Sequence, residues 1–148
     1  LENGTEIHFT SIGKIERVPL RQVWRHEALD FTTWLEQNID ALSEVLDLSL
    51  SSAEREQSAG DFSVDIVAED NRGRTFLVQC KRFAHGKKVG SADVQKLIGA
   101  VVHQGADGGI FVTTASFTGA AIDLAKSGRV HIELVDGRDL TRLSRAVA

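Results

Sequence analysis

An acid, an amide and a lysine fall near the middle of the sequence, within a predicted β-hairpin. Two strands of alternating apolar and polar residues are predicted at 61–69 and 74–81, with a turn at 70–73 between them. Because side chains alternate between the two faces of a strand, Asp65, Gln79 and Lys81 all occupy the less apolar face. A turn centred near Arg72 would place Asp65 across from Gln79, with Lys81 one step further along. We therefore expect the three side chains to converge on one side of a sheet.

These residue types suit a magnesium site. Mg²⁺ takes one or two carboxylates, keeps several waters and is usually completed by substrate phosphate. Asp65 would supply a carboxylate, Gln79 an amide oxygen and the backbone carbonyl of Cys80 a third oxygen. Lys81 would position or deprotonate the attacking water and offset charge that develops on the phosphate. The trio predicts phosphodiester hydrolysis, although an aspartate near a turn and a lysine at a strand end also occur on ordinary sheet edges.

A second carboxylate is expected at this site, because a glutamine is a weaker ligand than a glutamate. The candidates are Glu36, on a predicted helix, and Glu56, on a predicted strand that precedes the hairpin. The sequence does not choose between them.

Basic residues follow the second strand of the hairpin, whereas acids crowd the first half of the chain. The net charge is −4, from 17 basic and 21 acidic residues, which argues mildly against nonspecific coating of DNA. The distribution of charge matters more than the total. The residues predicted to contact nucleic acid are Arg82, His85, Lys87, Lys88 and Gln95. A solvated charged loop is the alternative interpretation.

Apolar spacing predicts the other elements. Residues 31–46 have helical spacing with Asp30 as the N-cap, and a later helix follows Ser91, its predicted N-cap. The remaining elements are predicted as strands at 14–18, 48–56, 109–113 and 130–135 and as helices at 116–126 and 139–145. Strands that alternate with helices in the second half indicate parallel crossovers beside an antiparallel hairpin. We expect an α/β fold with a mixed central β-sheet flanked by helices.

Length and composition indicate a single domain, 1–148, whose first 13 residues have no clear pattern and could be loose. We find no apolar run of membrane-spanning length and no charged-then-apolar leader. The single cysteine, Cys80, excludes an internal disulfide and favours a reducing, cytoplasmic compartment. It alternates onto the apolar face, so we predict a buried thiol. His103 and His131 lie among apolar residues and are predicted to be interior.

Several motifs resemble known nucleases. The runs Gly-Asp-Phe-Ser-Val-Asp at 60–65 and Val-Gln-Cys-Lys-Arg at 78–82 resemble the PD-(D/E)XK nuclease superfamily. Residues 79–143 resemble more narrowly the catalytic domain of Mrr-type restriction endonucleases. The motifs there are Val-Gln at 94–95, Gly-Ala at 99–100, Gly-Ile-Phe-Val-Thr-Thr at 109–114 and Leu-Val-Asp-Gly at 134–137. The segment 13–70 resembles another branch of the superfamily, so a recombined or designed chain is one interpretation.

The resemblance implies a restriction-endonuclease-like α-β-β-β-α-β core and a Mg²⁺-dependent endonuclease that acts on DNA, with Mn²⁺ as a substitute. It implies that Asp65, Gln79 and Lys81 are the catalytic residues. Cleavage of both strands of a duplex would favour a homodimer, and specificity would need a separate targeting domain or partner. The alternative is a catalytically weak nucleic-acid-binding module that retains the fold.

Two positions depart from the superfamily pattern. Gln79 stands where an acid is usual, although the Mrr branch commonly has glutamine there. Gln37 stands where the branch that the first half resembles has an acid, and Glu36 is beside it. The second departure weakens the case for Glu36 as a metal ligand.

Overall fold

The computed structural model describes residues 32–59, 62–83 and 86–147. The predicted strand at 14–18 and the predicted N-cap Asp30 lie outside these residues. The helices are α1 Thr32–Gln37, α2 Ile39–Val45, α3 Ser91–Gln104, α4 Gly119–Ser127 and α5 Gly137–Val147. The strands are β1 Leu50–Ala59, β2 Phe62–Asp70, β3 Thr75–Lys81, β4 Lys88–Val89, β5 Gly108–Thr113, β6 Ser116–Phe117 and β7 His131–Val135. Within the described part of the chain, no helix is long and apolar enough to cross a membrane.

Five strands form a mixed sheet in the order β1-β2-β3-β5-β7. Strands β1, β2 and β3 form an antiparallel meander. Strands β5 and β7 are added in parallel to β3, each after a helix, which satisfies the length that a parallel crossover needs. The predicted α/β fold with a mixed sheet flanked by helices is confirmed.

A second, two-stranded sheet was not predicted. Strand β4 pairs in parallel with β6, whereas the sequence pattern predicts a helix that begins at Ser116. A two-residue strand is too short to show a period. Helix α4 begins instead after Thr118, whose hydroxyl oxygen accepts a hydrogen bond from the backbone N–H of Ala121 at 3.1 Å.

Apolar side chains pack in two clusters on opposite faces of the sheet. Alternate residues of β3 (Phe76, Val78 and Cys80) pack with apolar residues of α1, α2 and α5. On the other face, Leu77 of β3 and Phe111 of β5 pack with residues of α3 and α4. The side chain of Cys80 is fully buried, so the predicted buried thiol is confirmed. Alternation therefore places Gln79 and Lys81 on the face that α3 and α4 partly cover.

The turn between β2 and β3 is organised by a buried carboxylate. Asp70 accepts hydrogen bonds from the backbone N–H groups of Arg72 at 3.0 Å and Arg74 at 2.8 Å. The guanidinium of Arg74 adds a third bond, Nε to Oδ2, at 2.7 Å. Gly73 has a φ of 80°, which glycine adopts without a steric penalty. Burial raises the pKa of Asp70, but these hydrogen bonds and the charge of Arg74 outweigh burial, so the pKa lies below its ordinary value.

The prediction of one continuous helix at 31–46 is wrong, because two helices, α1 and α2, are separated at Asn38. The side-chain Nδ2 of Asn38 donates to the carbonyl of Trp34 at 2.8 Å. Its backbone N–H also donates to the carbonyls of Trp34 and Leu35, at 3.0 and 3.1 Å. An asparagine side chain that competes for a helical acceptor favours a break, and apolar spacing alone does not reveal it.

Other predicted details differ by a residue or by a face. Ser91 is the first residue of α3, whose N-cap is Gly90. Gly105 ends that helix in the left-handed conformation, with a φ of 68°. The prediction that His103 and His131 are interior is wrong, because both are exposed. His131 lies on the outer strand β7 and contacts Glu133.

Candidate active site

The backbone ladder of the β2–β3 hairpin ends where Asp65 and Gln79 meet. The antiparallel pairs run from the turn to Ile66 and Val78, and the next position in this register is that of Asp65 and Gln79. There the Asp65 carboxylate acts as the acceptor. Its Oδ2 accepts a hydrogen bond from the backbone N–H of Cys80 at 2.8 Å and another from Nε2 of Gln79 at 3.0 Å. The strand register therefore brings two residues of the predicted trio into direct contact.

The amide oxygen of Gln79 is the unusual atom of this site. It is buried and has no hydrogen-bond partner, while the amide nitrogen of the same side chain donates to Asp65. A buried acceptor without a partner costs about 1–3 kcal/mol, and a bound ion is one of the explanations for such a group in a native protein. A divalent cation would satisfy this oxygen, and the neighbouring carboxylate completes the kind of oxygen donor pair that Mg²⁺ takes. The residues present therefore fit the ion.

The backbone of Cys80 lies along the same edge. In an extended strand the N–H and C=O of one residue point to the same side, and the Cys80 N–H points to Asp65. Its carbonyl is therefore turned toward the edge of β3 that Asp65 occupies. Among the residues that the structure describes, no three His, Cys, Asp or Glu side chains are grouped to hold a metal. A metal bound here would depend on mixed ligands, with amide and backbone oxygens beside the carboxylate.

Lys81 is the last residue of β3, and its ammonium group has two neighbours, Asp93 and Phe83. Its Nζ is 3.8 Å from Oδ1 of Asp93, a residue in the first turn of α3. The same Nζ is 5.7 Å from the centroid of the Phe83 ring. Sequence reasoning did not select Asp93, because its only signal is that of an acid at the start of a helix, which is common for electrostatic reasons.

The two candidate carboxylates, Glu56 and Glu36, differ in their backbone position relative to Asp65. Glu56 lies on β1 between residues that pair with Ile66 and Val64, so its backbone position is across from Asp65. Glu36 lies on α1 next to Leu35, which packs in the core cluster on the Cys80 face of the sheet. Backbone register therefore favours Glu56.

The predicted nucleic-acid contacts differ in their exposure to solvent. Lys87 and Lys88 are exposed, and Gln95 is exposed on α3. Arg82 is partly buried. His85 lies outside the described residues. The exposed lysines follow the end of the strand that carries Gln79 and Lys81, so this side of the molecule combines a carboxylate site with positive charge.

Comparison with known proteins identifies the family of the chain. Residues 33–144 match the Mrr catalytic-domain family, described as restriction endonuclease. The Type IV methyl-directed restriction enzyme EcoKMrr of Escherichia coli K12 is 36% identical over 92 residues, which is 61% of this chain and 29% of that protein. The chain thus spans under a third of this curated relative, and it spans 25% of an uncharacterised protein of Sinorhizobium fredii.

Solved structures share the fold at low sequence identity. The restriction endonuclease MspJI, in complex with a 27-mer oligonucleotide, superposes with a TM-score of 0.59 at 15% identity, over 97% of this chain and 37% of that chain. A repair endonuclease from Pyrococcus abyssi has a TM-score of 0.56 at 15% identity, over 75% of this chain and 46% of that chain. The family match covers most of the chain, including β2, β3 and the residues around Asp65, and we conclude that the chain belongs to the Mrr catalytic-domain family of restriction endonucleases.

Proposed function

We propose that this chain is the catalytic domain of a Mg²⁺-dependent endonuclease that hydrolyses phosphodiester bonds of DNA, with Mn²⁺ as a substitute. The observation that carries the proposal is the buried amide oxygen of Gln79, which has no hydrogen-bond partner and lies beside the Asp65 carboxylate. A cation bound beside Asp65 would offset the stability cost of this buried acceptor.

The residues have distinct roles in this proposal. The Asp65 carboxylate, the Gln79 amide oxygen and the Cys80 carbonyl would hold the ion. When bound, Mg²⁺ would supply Lewis-acid stabilisation of phosphate oxygens and favour ionisation of the attacking water. Lys81 would position that water and place its ammonium charge against the charge that develops on the phosphate.

Glu56 is proposed as the second carboxylate. Its backbone position on β1, across from Asp65, supports this choice over Glu36. In a row of three neighbouring strands, Glu56, Asp65 and Gln79 would then occupy successive positions.

DNA is the proposed substrate. One curated relative is a restriction enzyme, and two solved structures with the same fold are endonucleases, one of them in complex with an oligonucleotide. The exposed Lys87 and Lys88 would contact phosphates without reading sequence. Arg82, His85 and Gln95 are further candidates for contact with DNA.

We also propose that targeting depends on a separate domain or partner. Double-strand cleavage would require a homodimer, and the protein would act in the cytoplasm.

A plasmid assay tests the proposal. Supercoiled DNA is incubated with the wild-type protein in Mg²⁺, Mn²⁺ or EDTA, and with Asp65→Asn and Lys81→Met in Mg²⁺. We expect nicking that requires the metal, and a rate lower by about 100-fold or more in either variant. Asp123→Asn and Lys126→Met are matched controls, because both residues are exposed on α4.

The results of this assay distinguish an endonuclease from a DNA-binding module without activity. Nicking that persists in EDTA, or in both site variants, would contradict the proposed site. Salt-sensitive DNA binding without nicking would support the alternative, a binding module that retains the fold. In the same assay, Glu56→Gln should raise the Mg²⁺ concentration needed for half-maximal rate, on the order of tenfold, and Glu36→Gln should not.

A further inference from the structure

The ammonium group of Lys81 has a defined neighbour on a different element. Its Nζ lies 3.8 Å from Oδ1 of Asp93, and the side chains of the two residues are 38% and 26% exposed. At this distance the two groups form an ion pair, but not a short hydrogen bond. Partial shielding from solvent makes it stronger than a fully exposed pair, whose contribution is often close to zero.

Each partner is anchored by its own element. Lys81 is held at its backbone by pairing with Thr113 of β5. Asp93 precedes Val94, which is fully buried on α3 and packs in the same cluster as Leu77 of β3. The carboxylate is therefore fixed relative to the sheet by core packing, whereas the lysine side chain has four rotatable bonds and needs an external contact to stay in one place.

We propose that Asp93 is a positioning residue for Lys81, holding its ammonium group at the face of the sheet that carries Asp65 and Gln79. This proposal rests on the proposed phosphodiesterase function. The centroid of the Phe83 ring, at 5.7 Å from the same Nζ, is a second neighbour that limits the lysine. Asp93 touches neither substrate nor metal in this role. It acts on the reaction only through the position of Lys81, where a displacement of about 1 Å is enough to slow an enzyme substantially.

Asp93 also has a simpler role from which the proposed one must be separated. An acid in the first turn of a helix is stabilised by the helix dipole, and Asp93 is the acid in the first turn of α3. Its removal could therefore lower stability without any effect on Lys81. Ser91, exposed in the same turn, offers a matched control, because Ser91→Asp combined with Asp93→Asn restores the charge of the turn at a different position.

The test compares wild type, Asp93→Asn, Asp93→Glu and the double variant Ser91→Asp/Asp93→Asn on a DNA duplex in Mg²⁺. We expect Asp93→Asn to lower kcat by about tenfold, with KM changed by less than about twofold, because the contact acts on chemistry and not on DNA affinity. Asp93→Glu keeps the carboxylate, and it should recover most of kcat. The double variant should recover thermal stability but not kcat.

A second measurement does not depend on cleavage. The ε-methylene of Lys81 is followed by NMR relaxation in the metal-free wild type and in Asp93→Asn. We expect greater mobility of this group in the variant. An unchanged kcat in Asp93→Asn, a kcat restored by the double variant, or an unchanged Lys81 mobility would each overturn the proposal. If wild type cuts no DNA, the proposed function fails, and the relaxation data alone decide whether Asp93 holds Lys81.

Discussion

Gln79 donates from its amide nitrogen to Asp65 and keeps its amide oxygen buried without a partner. A glutamate at the same position would place a second negative charge where the hydrogen-bond donor now lies. Two carboxylates in contact repel each other when no cation is present. The glutamine therefore gives Asp65 a hydrogen-bond donor in place of a second charge, and in the proposed site its amide oxygen would remain for a cation.

Replacing this residue tests that interpretation. Gln79→Glu removes a hydrogen bond to a charged acceptor, a contribution of about 1.5–3 kcal/mol. In EDTA we expect the Tm to fall by about 3–12 °C, since about 2–4 °C corresponds to 1 kcal/mol in a protein of this size. Millimolar Mg²⁺ should raise the Tm of the variant more than that of wild type, because the added carboxylate strengthens binding. Differential scanning calorimetry with and without Mg²⁺ measures both effects.

Gln95→Glu is the matched control for this change, because Gln95 is exposed on α3. It should alter the Tm little in either buffer. A Gln79→Glu protein that melts at the wild-type temperature in EDTA and gains nothing from Mg²⁺ would contradict the role given to the amide.

Strand alternation predicts part of the site at this scale. The contact between Asp65 and Gln79 and the burial of Cys80 both follow from the period of two along a strand. Asp93 does not follow from it, because its position next to Lys81 depends on how α3 packs on the sheet. His131 was placed inside from apolar neighbours in the sequence, yet on β7 its side chain is 44% exposed. Sequence neighbours report a strand's average burial and not which side chain faces outward.

Among the elements, the turn of the β2–β3 hairpin controls the register on which the site depends. Asp70 fixes this turn through three hydrogen bonds, from Arg72 and Arg74. A shift of one residue would move Asp65 to the other face of the sheet. The turn therefore has a functional importance, although it lies several residues from the site.

The buried carboxylate of Asp70 predicts a pH dependence of stability. Its pKa in the folded protein lies below the ordinary value of 3.8. Its contribution is therefore present above pH 3.8 and is lost as the pH falls through the lower, folded-state pKa. Asp70→Asn should be less stable at neutral pH, and its urea midpoint should fall less steeply than that of wild type between about pH 4 and pH 2. Urea titrations across this range measure the slope.

Asp123→Asn, which removes an exposed carboxylate on α4, is the control for the loss of one charge. Equal acid slopes for wild type and Asp70→Asn would show that Asp70 contributes no pH-dependent stability.

Element boundaries were predictable where a period or a turn marks them. The β2–β3 hairpin and strands β5 and β7 lie within a residue or so of their predicted positions. The break at Asn38 and the short β4–β6 pair were missed for different reasons. At Asn38 a side-chain hydrogen bond competes with the helix. Each residue of β4 pairs with a residue 28 positions further along, as Lys88 does with Ser116, and each strand has only two residues.

For the whole molecule, exposed basic residues lie at both ends of the parallel strands. Strands β3 and β5 end together, since Lys81 pairs with Thr113. Helix α4 then returns to the opposite end, where β7 begins beside the start of β5. The exposed residues Lys126 and Arg129 belong to that opposite end, whereas Lys87 and Lys88 follow the end that carries the site.

This arrangement predicts how DNA affinity responds to salt. The Lys87→Gln/Lys88→Gln double variant removes two phosphate contacts, so the slope of log K against log salt concentration should become shallower by about 1.8. Fluorescence anisotropy with a labelled duplex in EDTA measures binding without cleavage. The control, Lys126→Gln/Arg129→Gln, removes the same charge from the other end of the sheet. Equal slopes for the two double variants would contradict a DNA-binding surface at the site.

The fold class was predictable at this scale because helices alternate with strands in the second half, but the strand order within the sheet was not fixed by any sequence pattern.

The strand order has a consequence for the folding pathway. Asp65 and Gln79 are 14 positions apart and are joined by one short turn, so their contact needs little loop closure and can form early. We expect β5 and β7 to pair later, because α3 and α4 separate them in the chain from the strands that they join. The Asp65–Gln79 contact therefore belongs to the most local part of the chain, whereas the contact of Lys81 with Asp93 depends on the packing of α3.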